Sequence, residues 1–427
     1  MTISESFSSF LDNIKVDNYE VIGQRYKEIT KKLNKTFRDT DSETANSLQV
    51  GSYGRYTGIK GISDLDMLYI MPQSKWDDYK NSPRKLLADV RDAIQERYPK
   101  TDVSYDRLVV DVKFTDFTFE VQPVFEVEDE DGTHTDYKYP DTKSSSYKIT
   151  KPKQEQEAMT DFRQKHGKHH RLLCKMMRSW KNNVGQAMGG LLLDTLAYNF
   201  LIERPDLDNS SYGSFDTLGR DFLKYLKDQP KHDHYQALGS NQDVKVKHKF
   251  QSKAAKSYQK AQDACNETDE ASRNKLWRDV YGKDYPKGES NVRESFSYTD
   301  REEFIEDQYP VDIKYNLRLD CEIARNGFRE KRLSELLASG KRIGRVRSLD
   351  FTFSTDTPEP YIVKWKARNV GQEAKRRNCL RGEIISSNRN GSQRHESADF
   401  CGSHYMECYI IKNGVVVARD RIDVPIE

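Results

Sequence analysis

Two acidic residues separated by one position, Asp64 and Asp66, are the part of this chain best suited to chemistry. They stand in the run 62–70, which is otherwise mostly apolar and has the pattern of a largely buried strand. Because side chains alternate along a strand, the two carboxylates share one face. Two like charges in apolar surroundings are costly unless a cation neutralises them. The pair therefore predicts a divalent metal site.

A glycine-rich turn precedes the acidic pair. Gly51, Ser52 and Gly54 are followed by Thr57 and Gly58. Small residues let a backbone bend tightly, so that its N–H groups and hydroxyls can cradle phosphate oxygens. The sequence thus places a predicted phosphate site next to a predicted metal site.

A third carboxylate is expected from the segment 107–125, which has the pattern of a β-hairpin turning at Thr115-Asp116. Glu120, on the second arm, is the candidate, and Asp111, on the first arm, is the alternative. Pro123 cannot donate to a ladder, so it predicts that strand pairing ends just after the acid.

Taken in order, these residues resemble a known family. G-S in a small turn, D-x-D on a strand and F-E-V-Q-P downstream resemble the nucleotidyltransferase superfamily of DNA polymerase β. The segment F-E-V-Q-P-V-F is similar to the third-carboxylate strand of oligoadenylate synthases and of the bacterial cGAS/DncV-like nucleotidyltransferases. The resemblance implies that Asp64, Asp66 and Glu120 are catalytic and bind metal, and that Gly51 and Ser52 bind nucleotide. One departure is Glu120, where bacterial relatives often have Asp.

A basic ridge is expected on the helical segment 166–182. Arg171, Lys175 and Arg178 follow at spacings of four and three, opposite an apolar stripe. An ordinary solvated helix face is the alternative. In the cyclase-like relatives a lysine at this place in the order contacts the triphosphate. The resemblance therefore implies that Lys175 binds nucleotide, with Arg171 and Arg178 behind it.

Composition limits the class of protein. Of 427 residues, 32% are charged and 35% hydrophobic, and no stretch has the apolar length of a membrane span or the pattern of a signal segment. Six cysteines are too few for a disulfide framework, which favours reduced thiols and a cytoplasmic location. The net charge of +2 excludes attraction of nucleic acid by overall charge, so only a local patch such as 341–381 could bind it.

The predicted fold class is an α/β nucleotidyltransferase palm with an α-helical lobe, followed by a β-rich C-terminal domain. We expect the palm with its N-terminal helix at 1–130, the helical lobe at 131–282, a linker at 283–300 and the β-rich domain at 301–427. Helical periodicity predicts one long helix over about 7–37. Asp194, within an apolar helix, is expected to be buried and hydrogen-bonded, and Asn413-Gly414 predicts a hairpin turn.

The C-terminal domain also resembles a known family. The series V-K-W-K-A-R-N-V-G, L-R-G, G-S-H-Y-M-E-C-Y-I and N-G-x-V-V-A is similar to the adenylyl/guanylyl-synthase-associated C-terminal sensor domain. An activating ligand is expected there, and the candidate contacts are Trp365, Arg368, Asn369, Arg381, His404 and Glu407. For Trp365 the alternative to ligand contact is a core position between two sheets. For His404 the alternative is a buried histidine whose hydrogen bonds are made within the protein.

The resemblance implies an enzyme that joins nucleoside triphosphates (NTPs), ATP among them, into a cyclic oligonucleotide second messenger and releases pyrophosphate. Two Mg²⁺ or Mn²⁺ ions would be its cofactors. The setting would be bacterial antiphage signalling of the CBASS type, an antiviral defence in which the diffusible product reaches a separately encoded effector. One alternative is transfer of nucleotides to an RNA acceptor such as a tRNA end, and another is a non-catalytic binding module. No local spacing encodes base identity, ring size or linkage.

Overall fold

The computed structural model describes residues 1–128, 132, 135–208, 211–288, 302–325, 328–345 and 347–427. The chain packs as two compact units. The first unit contains Met1–Ser179 and Gly189–Tyr258, and the second unit contains Trp180–Met188 and Gln259–Glu427. The predicted linker lies outside the described residues from 289 onward. The domain limits expected from the sequence stay a prediction.

A seven-stranded sheet organises the first unit, in the order β1-β2-β5-β4-β3, with β6 paired to β5 and β7 paired to β6. Its strands β2 and β5 run parallel, and the other pairs are antiparallel. The strands are β1 Ser47–Gln49, β2 Asp64–Ile70, β3 Asp102–Tyr105, β4 Val110–Lys113, β5 Thr118–Glu128, β6 Thr135–Asp141 and β7 Ser146–Thr150, followed by the separate pair β8 His234–Gln236 and β9 Asp243–Lys245.

The predicted hairpin is confirmed as β4 and β5, but the expectation for Pro123 is only half right. On the β4 side, pairing ends at Val121, and on the β6 side it begins at Phe125. On the β2 side, β5 pairs without interruption through Val124. Pro123 thus lies where β5 changes partner from β4 to β6, a position at which a missing donor is tolerated.

The helices of the chain follow the apolar periodicity closely, with one correction. The expected helix 7–37 is two helices, one ending at Asn13 and the next beginning at Tyr19. Just after the first helix, the carbonyl of Ile14 accepts a hydrogen bond from the amide of Lys60 at 2.9 Å and takes no part in a helical ladder. The helices are α1 Ile3–Asn13, α2 Tyr19–Arg38, α3 Gly51–Gly54, α4 Trp76–Tyr79, α5 Pro83–Arg97, α6 Pro152–His166, α7 His169–Asn183, α8 Gly190–Ile202, α9 Phe215–Asp228, α10 Gln251–Asn266, α11 Glu270–Tyr281, α12 Leu333–Ala338 and α13 Gln372–Arg376.

One face of the seven-stranded sheet is buried under α2 and α5. Leu65 and Met67 of β2 lie in this core with Ile29 of α2 and Leu87 of α5. Since side chains alternate, the acidic pair of β2 must point to the opposite face. Burial of the apolar face therefore fixes which way the carboxylates point.

The second unit contains two four-stranded sheets, in the orders β11-β10-β12-β15 and β14-β13-β16-β17. Side chains from both sheets form a common core that includes Phe351, Trp365 and Met406. Asn413 and Gly414 both have positive φ, so the predicted hairpin turn between β16 and β17 is confirmed. The strands are β10 Leu317–Arg325, β11 Phe328–Arg332, β12 Ser348–Thr355, β13 Ile362–Arg368, β14 Arg381–Ser386, β15 Arg394–Ser397, β16 Gly402–Lys412 and β17 Val415–Ile426.

The segment Trp180–Met188 is part of the second unit although it is distant in sequence. Lys181 Nζ donates to the carbonyl of Ile313 at 3.1 Å, and Asn182 Nδ2 donates to the carbonyl of Val311 at 2.8 Å. The second unit therefore includes a short segment from the middle of the sequence, which packs against residues 311–313.

Candidate active site

Three predicted acids lie on one face of the seven-stranded sheet. Asp64 and Asp66 are two positions apart on β2, and the parallel register places Glu120 of β5 directly beside Asp66. All three side chains are half-buried. The strand pattern read from the sequence thus brings together residues that are more than fifty positions apart.

Gly51 lies against one of these carboxylates. A Cβ atom at Gly51 would stand 1.7 Å from Oδ2 of Asp66, and Gly51 has φ of +63°. The amide of the preceding residue, Val50, donates to the carbonyl of Asp66 at 2.9 Å. Only glycine fits this close approach, so the turn and the acidic strand are built as one piece.

The turn itself is closed by main-chain hydrogen bonds. The carbonyl of Ser52 accepts from the amides of Thr57 and Gly58 at 2.9 and 3.1 Å. Residues 51–54 form a single helical turn, whose first amides have no partner within the turn and can meet a ligand. The predicted phosphate site is therefore a compact loop that adjoins Asp66.

Asp111 extends the row of acids. The antiparallel register of β4 with β5 places Asp111 directly beside Glu120, on the side away from Asp66. Burial raises the pKa of Asp111 to about 6, and the nearby Asp106 adds to the rise. The alternative third acid of the sequence analysis is thus a neighbour of Glu120, on the same face.

The donor chemistry of this face suits a hard divalent cation, because carboxylate oxygens are the ligands that Mg²⁺ prefers. Asp64, Asp66 and Glu120 would hold such an ion. Within the part of the chain that the structure describes, no three His, Cys, Asp or Glu side chains are already gathered in a metal-binding arrangement. The backbone register aligns the three acids on one face.

Arg178, predicted to lie behind Lys175 on a basic ridge, lies instead in a buried ion network. Its Nη1 and Nη2 contact the carboxylate of Asp194 at 2.5 and 3.0 Å, and the same carboxylate accepts from Arg55 Nε at 2.9 Å and from Thr57 Oγ1 at 3.1 Å. Arg55 also pairs with Glu155 at 3.2 Å. The buried role expected for Asp194 is confirmed, and the glycine-rich turn is tied to α6, α7 and α8 by charge.

Electrostatics explains why this burial is tolerated. Burial by itself would raise the pKa of Asp194, but Arg178 and Arg55 more than offset it and hold the pKa well below its usual range. Burial raises the pKa of Glu155, and Arg55 opposes that rise. Asp194 is therefore the firmly charged centre of the network.

Lys175 and Arg171, the other two predicted ridge residues, both line a cavity of about 750 Å³ in the first unit. Both are half-buried. Burial lowers the pKa of Lys175, and the neighbouring cations Lys15 and Arg171 lower it further. The mutual repulsion of these cations favours an anionic ligand at this place.

All six predicted sensor contacts have partners within the protein, beginning with Trp365, Arg381 and Arg368. Trp365 is completely buried in the core between the two sheets of the second unit. Arg381 Nη1 and Nη2 donate to the carboxylate of Glu396 at 2.7 and 3.0 Å. Arg368 Nη1 donates to the carbonyl of Arg381 at 2.7 Å, and its Nη2 lies 3.4 Å from Glu302. These contacts fix the three side chains within their domain.

The other three are also engaged. Asn369 Nδ2 donates to a main-chain carbonyl at 2.8 Å, and His404 uses both ring nitrogens on main-chain groups at 3.1 Å. Glu407 lies 3.6 Å from Lys366 and 3.5 Å from Arg419. Contact of any of the six with a ligand stays a prediction.

The basic stretch 341–381 does not form one continuous surface. Arg376 and Arg377 both bind Glu373, and Lys366 is buried. Arg381 has the carboxylate partner described above. The stretch therefore offers less cationic surface to RNA than its composition indicates.

Sequence reasoning missed several residues near the predicted site. Arg55 and Thr57 reach Asp194, and Tyr56, Arg163 and Lys168 line the same cavity as Lys175. The motif G-S-Y-G-R-Y-T contains the first three, but only the fold reveals their partners. The positive residues at 163 and 168 precede the basic ridge and could have been added to it.

Two family models match the chain over separate ranges. Residues 1–162 match the Second Messenger Oligonucleotide or Dinucleotide Synthetase (SMODS) domain, and residues 299–427 match the Adenylyl/Guanylyl and SMODS C-terminal sensor domain (AGS_C). A comparison with curated proteins found no match.

Solved structures with a similar fold include CdnC of E. coli MS115-1 in complex with HORMA-deltaN, at 12% identity and a TM-score of 0.51, covering 66% of this chain and 98% of that chain. The di-nucleotide cyclase DncV of Vibrio cholerae matches at 13% identity and a TM-score of 0.47, covering 66% of this chain and 87% of that chain. The likeness to CdnC establishes the fold.

The predicted fold class is confirmed: the chain has a polymerase-β-like palm and an all-β C-terminal region. The SMODS match over 1–162 and the AGS_C match over 299–427 support the two resemblances described above, to the cGAS/DncV-like nucleotidyltransferases and to the sensor domain. The SMODS match supports the general class of second-messenger oligonucleotide or dinucleotide synthetases for residues 1–162. Among the described residues, no helix has the length and hydrophobicity required to traverse a bilayer.

Proposed function

We propose that this chain joins NTPs without a template into a cyclic oligonucleotide and releases pyrophosphate at each step. The observation that carries the proposal is the strand register that aligns Asp64, Asp66 and Glu120 on one face. The Gly51–Ser52 turn, in contact with Asp66, supplies a phosphate site beside them. Family membership supports the same reaction class.

Each part of the site has a distinct task. The turn at Ser52 and the cation Lys175 orient the triphosphate of the incoming nucleotide. The three acids would hold two Mg²⁺ or Mn²⁺ ions, which supply activation of the acceptor hydroxyl and neutralise the leaving pyrophosphate. The residues thus act by positioning and charge neutralisation, so loss of an acid should be far worse than loss of Lys175.

The biological setting that we propose is bacterial antiphage signalling of the CBASS type in the cytoplasm. The product would diffuse to a separately encoded effector, and a ligand of the C-terminal domain would switch synthesis on. The AGS_C match supports a sensing role for that domain. The chemical identity of the product is then the central measurement.

The proposal is tested with the double variant Asp64→Asn plus Asp66→Asn in the full chain. We expect pyrophosphate release from a mixture of four NTPs to fall at least about a thousandfold, because the charge that holds the cations is lost. Asp116→Asn, an exposed acid in the turn of the same hairpin, is the matched control and should keep full activity. Activity retained by the double variant would refute the site.

The same assay separates the RNA-acceptor alternative. With labelled NTPs alone, a cyclase yields a low-mass product that resists phosphatase, because it has no terminal phosphate. An acceptor-dependent transferase yields product only when RNA is added. Mass spectrometry of the product made without RNA decides between them.

A further inference from the structure

A cavity of about 650 Å³ lies in the second unit, at one end of its two four-stranded sheets. Phe353 of β12 lines it from one sheet, and Ser386 of β14 lines it from the other. Its volume is in the usual range for small-molecule sites. The sheet-end cavity, as it is called here, is defined by Phe353, Glu359, Tyr361, Ser386, Ser387 and Gln393.

Two aromatic rings give this cavity an apolar wall. The side chains of Phe353 and Tyr361 are half-buried and pack against the hydrophobic core of the second unit. The ring centroids of Phe353 and the completely buried Trp365 are 6.1 Å apart. Because the core supports both rings from behind, their remaining surface is held in place for an apolar part of a ligand.

The two serines of the cavity are set up as hydrogen-bond donors. Trp365 Nε1 donates to Ser387 Oγ at 3.1 Å, and Lys364 Nζ donates to Ser386 Oγ at 3.1 Å. A hydroxyl that accepts from an N–H group of the protein still has its own proton to donate. Ser386 and Ser387 can therefore each offer an O–H group to a molecule in the cavity.

Gln393 and Glu359 add groups of both kinds. Asn390 Nδ2 donates to Gln393 Oε1 at 3.3 Å, and the NH₂ group of Gln393 is a donor. Glu359 is exposed, and its carboxylate is an acceptor. Among the described residues, Glu359 is the only charged one that lines the cavity, since Lys364 contacts Ser386 without belonging to the lining. The lining thus matches a ligand that both donates and accepts and has no negative charge.

We propose that the sheet-end cavity binds a neutral saccharide. The C–H groups of a sugar ring pack on aromatic faces such as those of Phe353 and Tyr361. Sugar hydroxyls both donate and accept, as the two serines, Gln393 and Glu359 require. A nucleotide would bring phosphates beside Glu359 without a lining cation, so it fits this cavity poorly. The inference rests on the proposed function only for its consequence, that the saccharide is the ligand that switches synthesis on.

The test is binding of the labelled full chain, without NTPs, to an array of neutral glycans, sialylated glycans and phosphorylated sugars. We expect retention by neutral glycans alone, and the best-bound one then serves as the probe for titration. Glu359→Gln and Tyr361→Ala should each weaken its binding at least about tenfold, because one removes a charged acceptor and the other removes an aromatic wall. Glu359→Gln preserves size at an exposed position, so its effect does not depend on folding.

Asp423→Asn is the matched control, since Asp423 is an exposed acid of β17 that does not line the cavity. It should leave glycan affinity unchanged. The inference is overturned if no neutral glycan is retained, if acidic glycans or phosphorylated sugars bind as well as neutral ones, or if Glu359→Gln binds like the parent. A chain that synthesises product but retains no glycan would keep the proposed reaction and lose only this inference.

Discussion

Gly51 is the residue on which the geometry of the acidic strand depends most directly. Its φ is positive, and the carboxylate of Asp66 occupies the space that any Cβ would fill. A side chain at this position would have to displace the Asp66 carboxylate, and it would still lie only 3.0 Å from the Asp66 Cβ, which the strand backbone holds in place. One missing carbon atom thus allows the phosphate-binding turn and the acid to touch.

We therefore expect Gly51→Ala to abolish nucleotidyl transfer, measured as pyrophosphate release. Gly340→Ala is the control, since Gly340 has φ of +68° but nothing within 4 Å of the added carbon. Both variants incur the backbone penalty of about 1 kcal/mol, but only the first displaces Asp66. Normal turnover by Gly51→Ala would show that the position of Asp66 relative to the turn is unimportant.

Individual residues differ in how well the sequence predicts them. Asp64 and Asp66 could be placed on one face because alternation along a strand needs only local pattern. Glu120 was joined to them by the family resemblance, and only the pairing of β2 with β5 shows that it lies beside Asp66. The prediction that Arg178 lies on the basic ridge with Lys175 was wrong. Helical spacing indicates which face of the helix a side chain is on, but it does not identify the residue that the side chain contacts. Its partner, Asp194, belongs to another helix, and only packing brings the two together.

At the level of elements, the Asp194 network joins four segments that the sequence presents separately. Arg55 comes from the glycine-rich turn, Glu155 from α6, Arg178 from α7 and Asp194 from α8. A buried charge without its partners is far more costly than an exposed one. The network therefore makes the helices and the turn interdependent.

Asp194→Asn should reduce the free energy of unfolding by about 3–5 kcal/mol, because it leaves two arginines buried without a full counter-charge. Asp102→Asn is the control: the side chains of Lys113 and Asp102 are 38% and 62% exposed, and loss of such a pair costs less than about 1 kcal/mol. Urea denaturation measures both. Equal midpoints for the two variants would contradict the role given to the network.

Sequence pattern predicted the elements themselves well where the determinants are local. The hairpin of β4 and β5, the apolar helix α8 and the Asn413-Gly414 turn each follow from period or turn chemistry. The break between α1 and α2 could not be predicted in this way. At the break the carbonyl of Ile14 accepts from the amide of Lys60, a tertiary contact more than forty residues away that local periodicity does not reveal.

On the scale of the whole molecule, each compact unit has its own hydrophobic core. Two units of this size are expected to unfold in separate transitions, so one melting temperature would describe the chain poorly. Proton uptake should then affect each transition according to the groups buried in that unit.

His170 of the first unit offers a measurable case. Burial lowers its pKa to about 4, with Asp194 opposing and His169 and Arg171 reinforcing the shift. The folded pKa of His170 lies below its unfolded value of about 6.5. The contribution of neutral His170 to the free energy of unfolding is therefore fully present above pH 6.5 and is lost as the pH falls toward 4. From pH 7 to pH 5 the loss is about 2 kcal/mol.

Calorimetry of the full chain at pH 7 and pH 5 tests this expectation. One transition should shift less in His170→Gln than in the parent protein, since the variant has no titrating group there. An identical pH shift in parent and variant would show that His170 does not titrate between its folded and unfolded states in the way described.

The piece of the second unit formed by Trp180–Met188 has a consequence for how the protein is made. This segment is synthesised about 230 residues before Arg419, one of its partners. At ordinary translation speeds it waits roughly ten to fifty seconds for its last partners. Gly185 packs against the main chain of Arg419 in the final strand. A nascent chain released before that strand is synthesised would leave the segment uncovered and open to proteolysis.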